Sequence, residues 1–253
     1  MNNIEVERNG RIIKIAIKRE KKLNPLDIET IEEIGEALKD HRNIAVITGM
    51  NRAFSAGADI NVFLNLDSKT GYEFAKRGHD VMNTIQERPM PVLAAIHGFA
   101  LGGGFELALA CDIRISHPET IFGLPEVTLG IIPGFGGTQR LKRIIGESKA
   151  FEMTSMGKKI GAQDALNLGI LNEINEKYLE RSMETAKLYE KMPFESLAYI
   201  KELIRNGSGN MMDREKEYFG NCFKTENQKE GARSFIEKRE ATFNRNVNFD
   251  LFK

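Results

Sequence analysis

The segment ALGGGFELALACD, residues 100–112, places three glycines directly before a short apolar run that holds one carboxylate, Glu106. From Gly102 to Ala110 no other side chain is polar. A glycine cluster between a strand and a helix lets the backbone approach a ligand closely. The first N–H groups of the helix have no partners within it and carry the positive end of its dipole. The pattern therefore predicts a turn whose N–H groups bind a phosphate or a polarised carbonyl oxygen.

Glu106 follows Gly103 by three residues, so on a helix the two lie on roughly one face, one turn apart. Its carboxylate would lie near whatever oxygen the N–H groups bind, and an apolar site would raise its pKa toward values useful in acid/base catalysis. The alternative is that the glycines only allow close packing and that Glu106 is a solvated helix residue, because glycine-rich turns before helices are common. The segment lacks the Lys and Ser/Thr of a P-loop and the GxGxxG spacing.

A second isolated carboxylate occurs in TIFGLPEVTLGIIPGFGGTQ, residues 120–139, where Glu126 is the only ionisable side chain. Burying a carboxylate without partners is costly, so such residues are often functional. The alternative is a structural Glu126 that caps a helix or pairs with Arg140. Two carboxylates, each beside a glycine-rich stretch, together predict a general acid/base pair.

A third segment, AFSAGADI at residues 53–60, follows the apolar strand pattern NIAVITG. The small residues at 55–58 again permit close backbone approach. One N–H here is expected to join that of Gly103 as the second donor of an oxyanion hole. Asp59 is expected either to contact an adenine or, as the commoner role, to cap a local turn.

Strand and helix patterns alternate through the first 146 residues, which favours an α/β fold. Two alternating segments around Asn9-Gly10 predict a hairpin. A helix is predicted over residues 72–87, and the polar stretch at 61–74 is a candidate mobile segment. After residue 146 successive helices are predicted, and residues 194–245 are expected to be helical to the end.

Composition excludes several classes of protein. Lys plus Arg and Asp plus Glu both number 36 in 253 residues, and a net charge of zero argues against a general nucleic-acid binder. Cys111 and Cys222 form no CxxC pair, which disfavours a disulfide scaffold or a zinc site. The start lacks the pattern of a signal peptide, and no apolar run approaches the ~20 residues that cross a bilayer. We expect a soluble, cytoplasmic protein with no membrane partner.

Taken together, the three segments resemble the crotonase superfamily, the enoyl-CoA hydratase/isomerase family. The resemblance is carried by AFSAGADI, by PVLAAIHGFALGGGFELALACD and by FGLPEVTLGIIPGFGGTQRL, in that order, with GAQDALNLGIL and FIEKREATF further on. It implies an α/β spiral of ββα turns and a helical C-terminal trimerisation region. We accordingly predict a spiral core with the CoA-thioester site at residues 1–192 and an oligomerisation region at 193–253.

The resemblance also implies roles for individual residues. The two hydratase glutamates correspond to Glu106 and Glu126, and the N–H that helps to hold the reacting water corresponds to Gly134. The backbone N–H groups of Ala58 and Gly103 correspond to the oxyanion hole. The residues expected to bind CoA are Ala56, Gly57, Ala58, Asp59, Ile60 and Lys238, with a surface or trimer-packing role as the alternative for Lys238.

The function implied is enoyl-CoA hydration: water adds syn across the double bond of a 2-enoyl-CoA thioester to give the 3-hydroxyacyl-CoA, and the reverse reaction dehydrates it. No metal and no cofactor is implied, since coenzyme A is part of the substrate. The second candidate is a double-bond isomerase of the same family, but relatives that only shift the double bond typically vary the carboxylate at the Glu106 position. Phe105 stands where relatives often carry a small residue or Cys, and we expect it to reshape the pocket beside Glu106.

Two other classes are disfavoured. RNA binding through a basic helix is one, but residues 205–253 interleave 10 Lys or Arg with 8 Asp or Glu, as solvated helix faces do. A catalytically inactive CoA-ester binder is the other, and the presence of both glutamates argues against it. The resemblance implies a homotrimer or a hexamer made of two trimers. The apolar residues expected to pack subunits together are Phe219, Phe223, Phe235 and Ile236.

Overall fold

The structure is a computed structural model that describes residues 1–19, 23–205 and 210–244. The strands are β1 Ile4–Asn9, β2 Ile12–Ile17, β3 Ile44–Gly49, β4 Val92–Ile96, β5 Phe99–Leu101, β6 Ile113–Ser116, β7 Ile121–Gly123, β8 Lys159–Gly161 and β9 Glu173–Ile174. The helices are α1 Ile28–Ala37, α2 Ile60–Phe63, α3 Ser68–Glu87, α4 Gly103–Ala110, α5 Gly137–Ile145, α6 Glu147–Ser155, α7 Ala162–Asn167, α8 Tyr178–Glu190, α9 Phe194–Arg205, α10 Met211–Cys222 and α11 Glu226–Glu237. A 3-10 helix spans Glu126–Leu129.

The larger sheet has six strands in the order β1-β2-β3-β4-β6-β9. The β1–β2 pair is antiparallel and forms the predicted hairpin, and the other pairings are parallel. Every residue of β3 is buried, because both faces of the sheet are covered. This explains why the segment is an uninterrupted apolar run rather than an alternating one.

The smaller sheet has three strands in the order β5-β7-β8 and gives the fold its winding character. The chain passes from β4 in the large sheet to β5 in the small sheet and then into α4. It repeats the move from β6 to β7 before entering the 3-10 helix. The first turn is a ββα unit, as the resemblance implies, and the second has a 3-10 helix in the helical position; each delivers a strand end and a helix start to the same region.

Two cores lie on opposite faces of the large sheet. Ala45 and Ile47 of β3 point into the main core, which α1, α3 and α4 cover. Ile44 and Val46 point into a second core, where α8 and α9 contribute the buried side chains of Ala186 and Phe194. Phe194 of α9 packs with the strands of the spiral. The predicted division of the chain between residues 192 and 193 stays a prediction.

Helix α9 is tied to the spiral by a largely buried group of charges. Lys201 Nζ lies 2.7 Å from Asp112 Oδ2, and Arg205 Nη2 lies 3.2 Å from Asp112 Oδ1. The Val92 N–H donates to the same carboxylate at 2.8 Å. An ion pair buried in this way is costly to break, since removing one partner leaves an uncompensated charge. The contact therefore fixes α9 against β4 and β6.

Two predictions on helices need correction. The helix predicted from residue 72 begins at Ser68, because Asp67 and Thr70 form a capping box that satisfies the first turn. The polar stretch before it is also partly helical, in α2. The C-terminal part is three separate helices, the last ending at Glu237, and residues 241–244 are not helical. Residue 245 and residues 206–209 lie outside the described part. Within the described part, no helix combines the length and hydropathy that crossing a membrane requires.

Candidate active site

The predicted residues other than Asp59 and Lys238 surround one cavity of about 630 Å³ between the ends of the two sheets and helix α3. One wall carries the glycine turn and both glutamates, and the opposite wall is apolar. The lining residues that matter below are Ala56, Gly57, Ala58, Ile60, Phe63, Phe74, His79, Gly102, Gly103, Glu106, Glu126, Ile131, Gly134 and Phe135.

The glycine turn is sterically required where β5 passes into α4. Gly102 has φ of +50°, which disfavours any side chain, and a Cβ there would lie 2.9 Å from Glu126 Oε1. A Cβ on Gly104 would lie 2.4 Å from the carbonyl oxygen of Ser55. The turn therefore brings the start of α4 against both the second glutamate and the 53–60 segment.

The 53–60 segment is held on both sides by backbone hydrogen bonds. Ser55 N donates to Phe99 O at 2.9 Å, and Leu101 N donates to Ser55 O at 3.0 Å, so the segment runs beside β5. On the other side, Leu26 N donates to Gly57 O at 2.8 Å. These bonds fix the peptide that follows Gly57 without using its N–H.

The two predicted oxyanion donors, Ala58 N and Gly103 N, lie side by side in the cavity wall. An ideal Cβ on Gly103 would be 3.7 Å from Ala58 N. Within the described residues, neither N–H donates to another backbone or side-chain group. Gly103 is the first residue of α4, where an N–H lacks a helical partner and carries the positive end of the dipole. The pair is therefore available to bind one oxygen.

Glu106 is buried, and two amides from another part of the chain bind its carboxyl group. Phe135 N donates to Glu106 Oε1 at 2.8 Å, and Gly137 N donates to the same oxygen at 2.7 Å. Gly137 is the first residue of α5, so Glu106 caps that helix across 31 residues of sequence. Burial, followed by the charge of Glu126, raises the pKa of Glu106 to about 7, although the two amides and Arg140 favour the ionised form.

Glu126 begins the 3-10 helix after Pro125 and is 8% exposed. Its Oε2 is buried without a hydrogen-bond partner among the described residues. Burial raises the pKa of Glu126 to about 7. The alternative of a structural pair with Arg140 is wrong, since that guanidinium bonds instead to Phe135 O, Asn83 and Gln86. Glu126 is thus a carboxyl group whose neutral form is favoured and which faces the cavity.

Other predicted residues lie in different surroundings. Gly134 lines the cavity, where a Cβ would meet only Ala75 at 3.9 Å. Asp59 caps α2 by accepting from Asn61 N and lies 3.5 Å from Arg19, in agreement with its commoner predicted role. Lys238 is the C-cap residue that follows α11 and is not among the residues lining this cavity. The role of these three toward a ligand stays a prediction.

Phe105 does not shape the cavity as the sequence suggested. Its side chain is fully buried and packs on Phe122 with ring centroids 5.6 Å apart. Since it precedes Glu106 by one residue on α4, it points away from the face that Glu106 presents to the cavity. The described residues include no group of three or more His, Cys, Asp or Glu positioned to hold a metal ion.

Residues outside the predicted set also build the site. Phe135 supplies one amide to Glu106 and places its ring against Phe74, with centroids 5.3 Å apart. Gly78 makes room for that ring, because a Cβ there would be 2.0 Å from Phe135 Cδ1. His79 lines the same cavity, and burial lowers its pKa. Their spacing in the sequence gives no signal, since α3 meets this loop only through the fold.

The family is decided by a match over nearly the whole chain. A family model described as enoyl-CoA hydratase/isomerase matches residues 7–246. The chain belongs to this family. Its place in the crotonase superfamily, expected from the three glycine-rich segments, is confirmed.

Individual relatives of the family agree with this. The short-chain-enoyl-CoA hydratase of Clostridium acetobutylicum is 39% identical over 253 residues, covering 95% of this chain and 97% of that protein. The crotonyl-CoA hydratase of Syntrophomonas wolfei is 37% identical over 256 residues, covering 95% of this chain and 97% of that protein. The crystal structure of an enoyl-CoA hydratase from Bacillus anthracis has a TM-score of 0.91 at 33% identity, covering 96% of this chain and 99% of that one. The predicted α/β spiral is confirmed.

Proposed function

We propose that Glu106 and Glu126 act as the base and the acid of an enoyl-CoA hydratase. The chain is an enoyl-CoA hydratase by its family and by its relatives. The observation that supports the residue roles is the pair of carboxyl groups in one cavity beside two available backbone N–H groups. Hydration needs these four groups: two donors for the thioester oxygen, one proton acceptor and one proton donor.

The thioester oxygen would bind between the N–H groups of Ala58 and Gly103. Polarisation of that carbonyl draws electrons from the conjugated double bond, so that water can attack the β-carbon. The same donors stabilise the enolate oxygen that develops. In other enzymes, removing one such donor costs roughly 3–4 kcal/mol of transition-state stabilisation.

The proton transfers follow from how each carboxyl group is held. Glu106 accepts two amide hydrogen bonds, which favour its ionised form, so it takes the proton as the water oxygen bonds to the β-carbon. Glu126 has a buried oxygen without a partner, which favours its neutral form, so it delivers its proton to the α-carbon. One proton is gained and one is lost, and exchange with solvent restores the starting state. Dehydration reverses the steps.

The substrate is proposed to be a short-chain enoyl-CoA ester such as crotonyl-CoA, with its CoA portion against Ala56 and Ile60. The relatives named above support a short chain, and so does the cavity wall. Phe74 and Phe135 line the cavity and pack against each other, and Phe63 meets Phe74 edge-on at 5.7 Å. Such a rigid aromatic wall limits the length of an acyl chain. The enzymes of this family are typically free of cofactors, and the proposed steps call for none.

We also propose that the protein is a homotrimer or a hexamer, located in the cytoplasm. The residues predicted to pack subunits are exposed in the single chain. Phe219 is 67% exposed, Phe235 is 86% exposed and Ile236 is 78% exposed. Apolar residues grouped at a surface in this way mark a site of association.

The role of Glu126 is tested by Glu126→Gln, which keeps the size of the side chain and removes its proton. Hydration of crotonyl-CoA, followed by the loss of absorbance of the conjugated thioester, is expected to fall by roughly 10³-fold or more. The Kd for a saturated CoA ester should be within about threefold of that of the unmodified protein. A variant that hydrates near the normal rate would mean that Glu126 is not the acid.

A further inference from the structure

Arg140 lies directly behind the turn that holds Glu106. Its side chain, on α5, is 7% exposed and makes three hydrogen bonds. Nη1 donates to Phe135 O at 2.7 Å, Nη2 donates to Asn83 Oδ1 at 2.8 Å, and Nε donates to Gln86 Oε1 at 3.0 Å. The guanidinium is thus fixed at three of its nitrogen atoms, each with its own acceptor.

The bond to Phe135 O governs how the turn presents its amides. A peptide unit is planar, so holding that carbonyl fixes the plane that joins Phe135 to Gly136 and the direction in which the chain reaches Gly137. Gly136 has φ of +94°, and a Cβ on it would lie 2.3 Å from Arg140 Nη1. The guanidinium therefore packs directly on the turn, whose two flanking N–H groups both donate to Glu106 Oε1.

The other two bonds anchor this arrangement to α3. Asn83 and Gln86 lie on the helix whose Phe74 and His79 line the cavity. Both acceptors are neutral amides, so the guanidinium keeps its full charge rather than having it cancelled by a carboxylate nearby. Arg140 thus links the apolar wall of the cavity to the turn on the glutamate side.

Glu106 is the charge that acts most strongly on Arg140, and Arg140 in turn adds to the two amides in favouring the ionised form of Glu106. Burial lowers the pKa of Arg140, and the charge of Glu106 opposes that change. The other groups that face it are the cations Arg143 on α5 and Arg205 on α9, and the buried thiol of Cys111 at the end of α4. On α3, the charge of Arg140 contributes to the lowered pKa of His79, after burial.

We propose that Arg140 is a positioning residue for hydration. By holding Phe135 O, it aims the amides of Phe135 and Gly137 at Glu106 and keeps that carboxylate ionised and oriented for the attacking water. The inference rests on the role of Glu106 in the proposed function. The other reading, that Arg140 only joins α5 to α3, makes a different prediction about pH.

The test compares Arg140→Met with Arg143→Met, a matched control that removes an exposed charge three residues away on the same helix. With crotonyl-CoA, Arg140→Met is expected to lower kcat by roughly 10- to 100-fold and to leave KM within about threefold. The acidic limb of the kcat profile, where Glu106 must be ionised, should move upward by at least about half a pH unit. Arg143→Met should change kcat and KM by no more than about twofold and leave the acidic limb where it is. Compared with Arg140→Met, Arg140→Lys should recover part of the shift in the acidic limb and less of the loss in kcat. Lysine keeps the positive charge but lacks the planar guanidinium that donates to several acceptors at once.

Loss of stability alone would give a different result. If Arg140→Met lowers the melting temperature and reduces kcat by one factor at every pH, with the limb unmoved, the inference is wrong. Should Arg140→Met not fold, the double variant Asn83→Ala, Gln86→Ala removes the two α3 acceptors and keeps the charge. It is expected to lower kcat several-fold, and unchanged kcat in both this variant and Arg140→Lys would overturn the inference. Glu106→Gln measured in parallel separates the cases, because full activity there contradicts the proposed function itself.

Discussion

Glu106 and Glu126 show that two identical side chains acquire different tasks from their surroundings. Both are buried, and both have a pKa raised to about 7 chiefly by burial. Only Glu106 accepts hydrogen bonds from two backbone N–H groups of another segment, those of Phe135 and Gly137, which stabilise a negative charge. Because the charge of Glu126 also raises the pKa of Glu106, the pair favours holding one proton between them near neutral pH.

A raised carboxyl pKa also predicts how stability depends on pH. The folded protein binds the proton on Glu106 more tightly than the unfolded chain, whose pKa is 4.5, so the contribution of Glu106 to stability falls as pH rises from about 4.5 to about 7 and is level above that. The full difference is roughly 3 kcal/mol. Glu106→Gln removes this contribution, so its melting temperature relative to the unmodified protein should rise between pH 5 and pH 7 and stay level from pH 7 to pH 8. Calorimetric scans across that range check the prediction, and a constant difference at all pH values would contradict it.

At the scale of elements, α5 is the helix that the site depends on most. It has no side-chain cap of its own, and Glu106 takes that place by accepting from Gly137 N. A carboxylate at a helix N-terminus is favoured by the helix dipole. The catalytic residue and the helix therefore stabilise each other, although they lie 31 residues apart in the chain.

Gly137→Ala tests this dependence. The added Cβ would lie 2.9 Å from both Cγ and Oε1 of Glu106, so the carboxylate must shift, while alanine itself suits the first turn of a helix. We expect kcat for crotonyl-CoA to fall by roughly 10- to 100-fold with KM little changed. Gly161→Ala is the matched control, since nothing lies within 4 Å of its Cβ. Equal activity in the two variants would show that the position of Glu106 against α5 is not critical.

The sequence predicts some elements of the site well and others not at all. Glu106 and Glu126 stand out because each is a lone charge in an apolar stretch, and such burial has to be compensated. The strands β5 and β7 have three residues each, too few to show a pattern of alternation. Other parts of the site arise from packing between distant segments, which periodicity does not reveal. These are the contacts of Arg140 with α3 and the space that Gly78 leaves for the ring of Phe135.

At the scale of the whole molecule, the chain has a well-buried core and an apolar surface on its last two helices. Phe219 of α10 and Phe223 stack edge-on at 5.1 Å, and each is more than half exposed. On α11, Phe235 and Ile236 are exposed even more fully. This is the surface that the proposed trimer or hexamer is expected to cover.

Phe235→Glu tests the proposed assembly by placing a charge on that surface. Light scattering after size-exclusion chromatography should show a mass below that of the trimer, with monomer increasing on dilution. Arg233→Glu, on the same helix and off the line of Phe235, is expected to keep the assembled mass. An unmodified protein that elutes as a monomer of 28.5 kDa would contradict the proposal directly.

The central claim is that Glu106 and Glu126 act together on one enoyl thioester. The most direct measurement is the rate of crotonyl-CoA hydration by Glu106→Gln, by Glu126→Gln and by the variant that carries both. Residues that act as a unit are not additive, so the double variant should be about as slow as the slower single variant. Effects that multiply in the double variant, or a single variant that keeps nearly full activity, would contradict a shared acid/base mechanism.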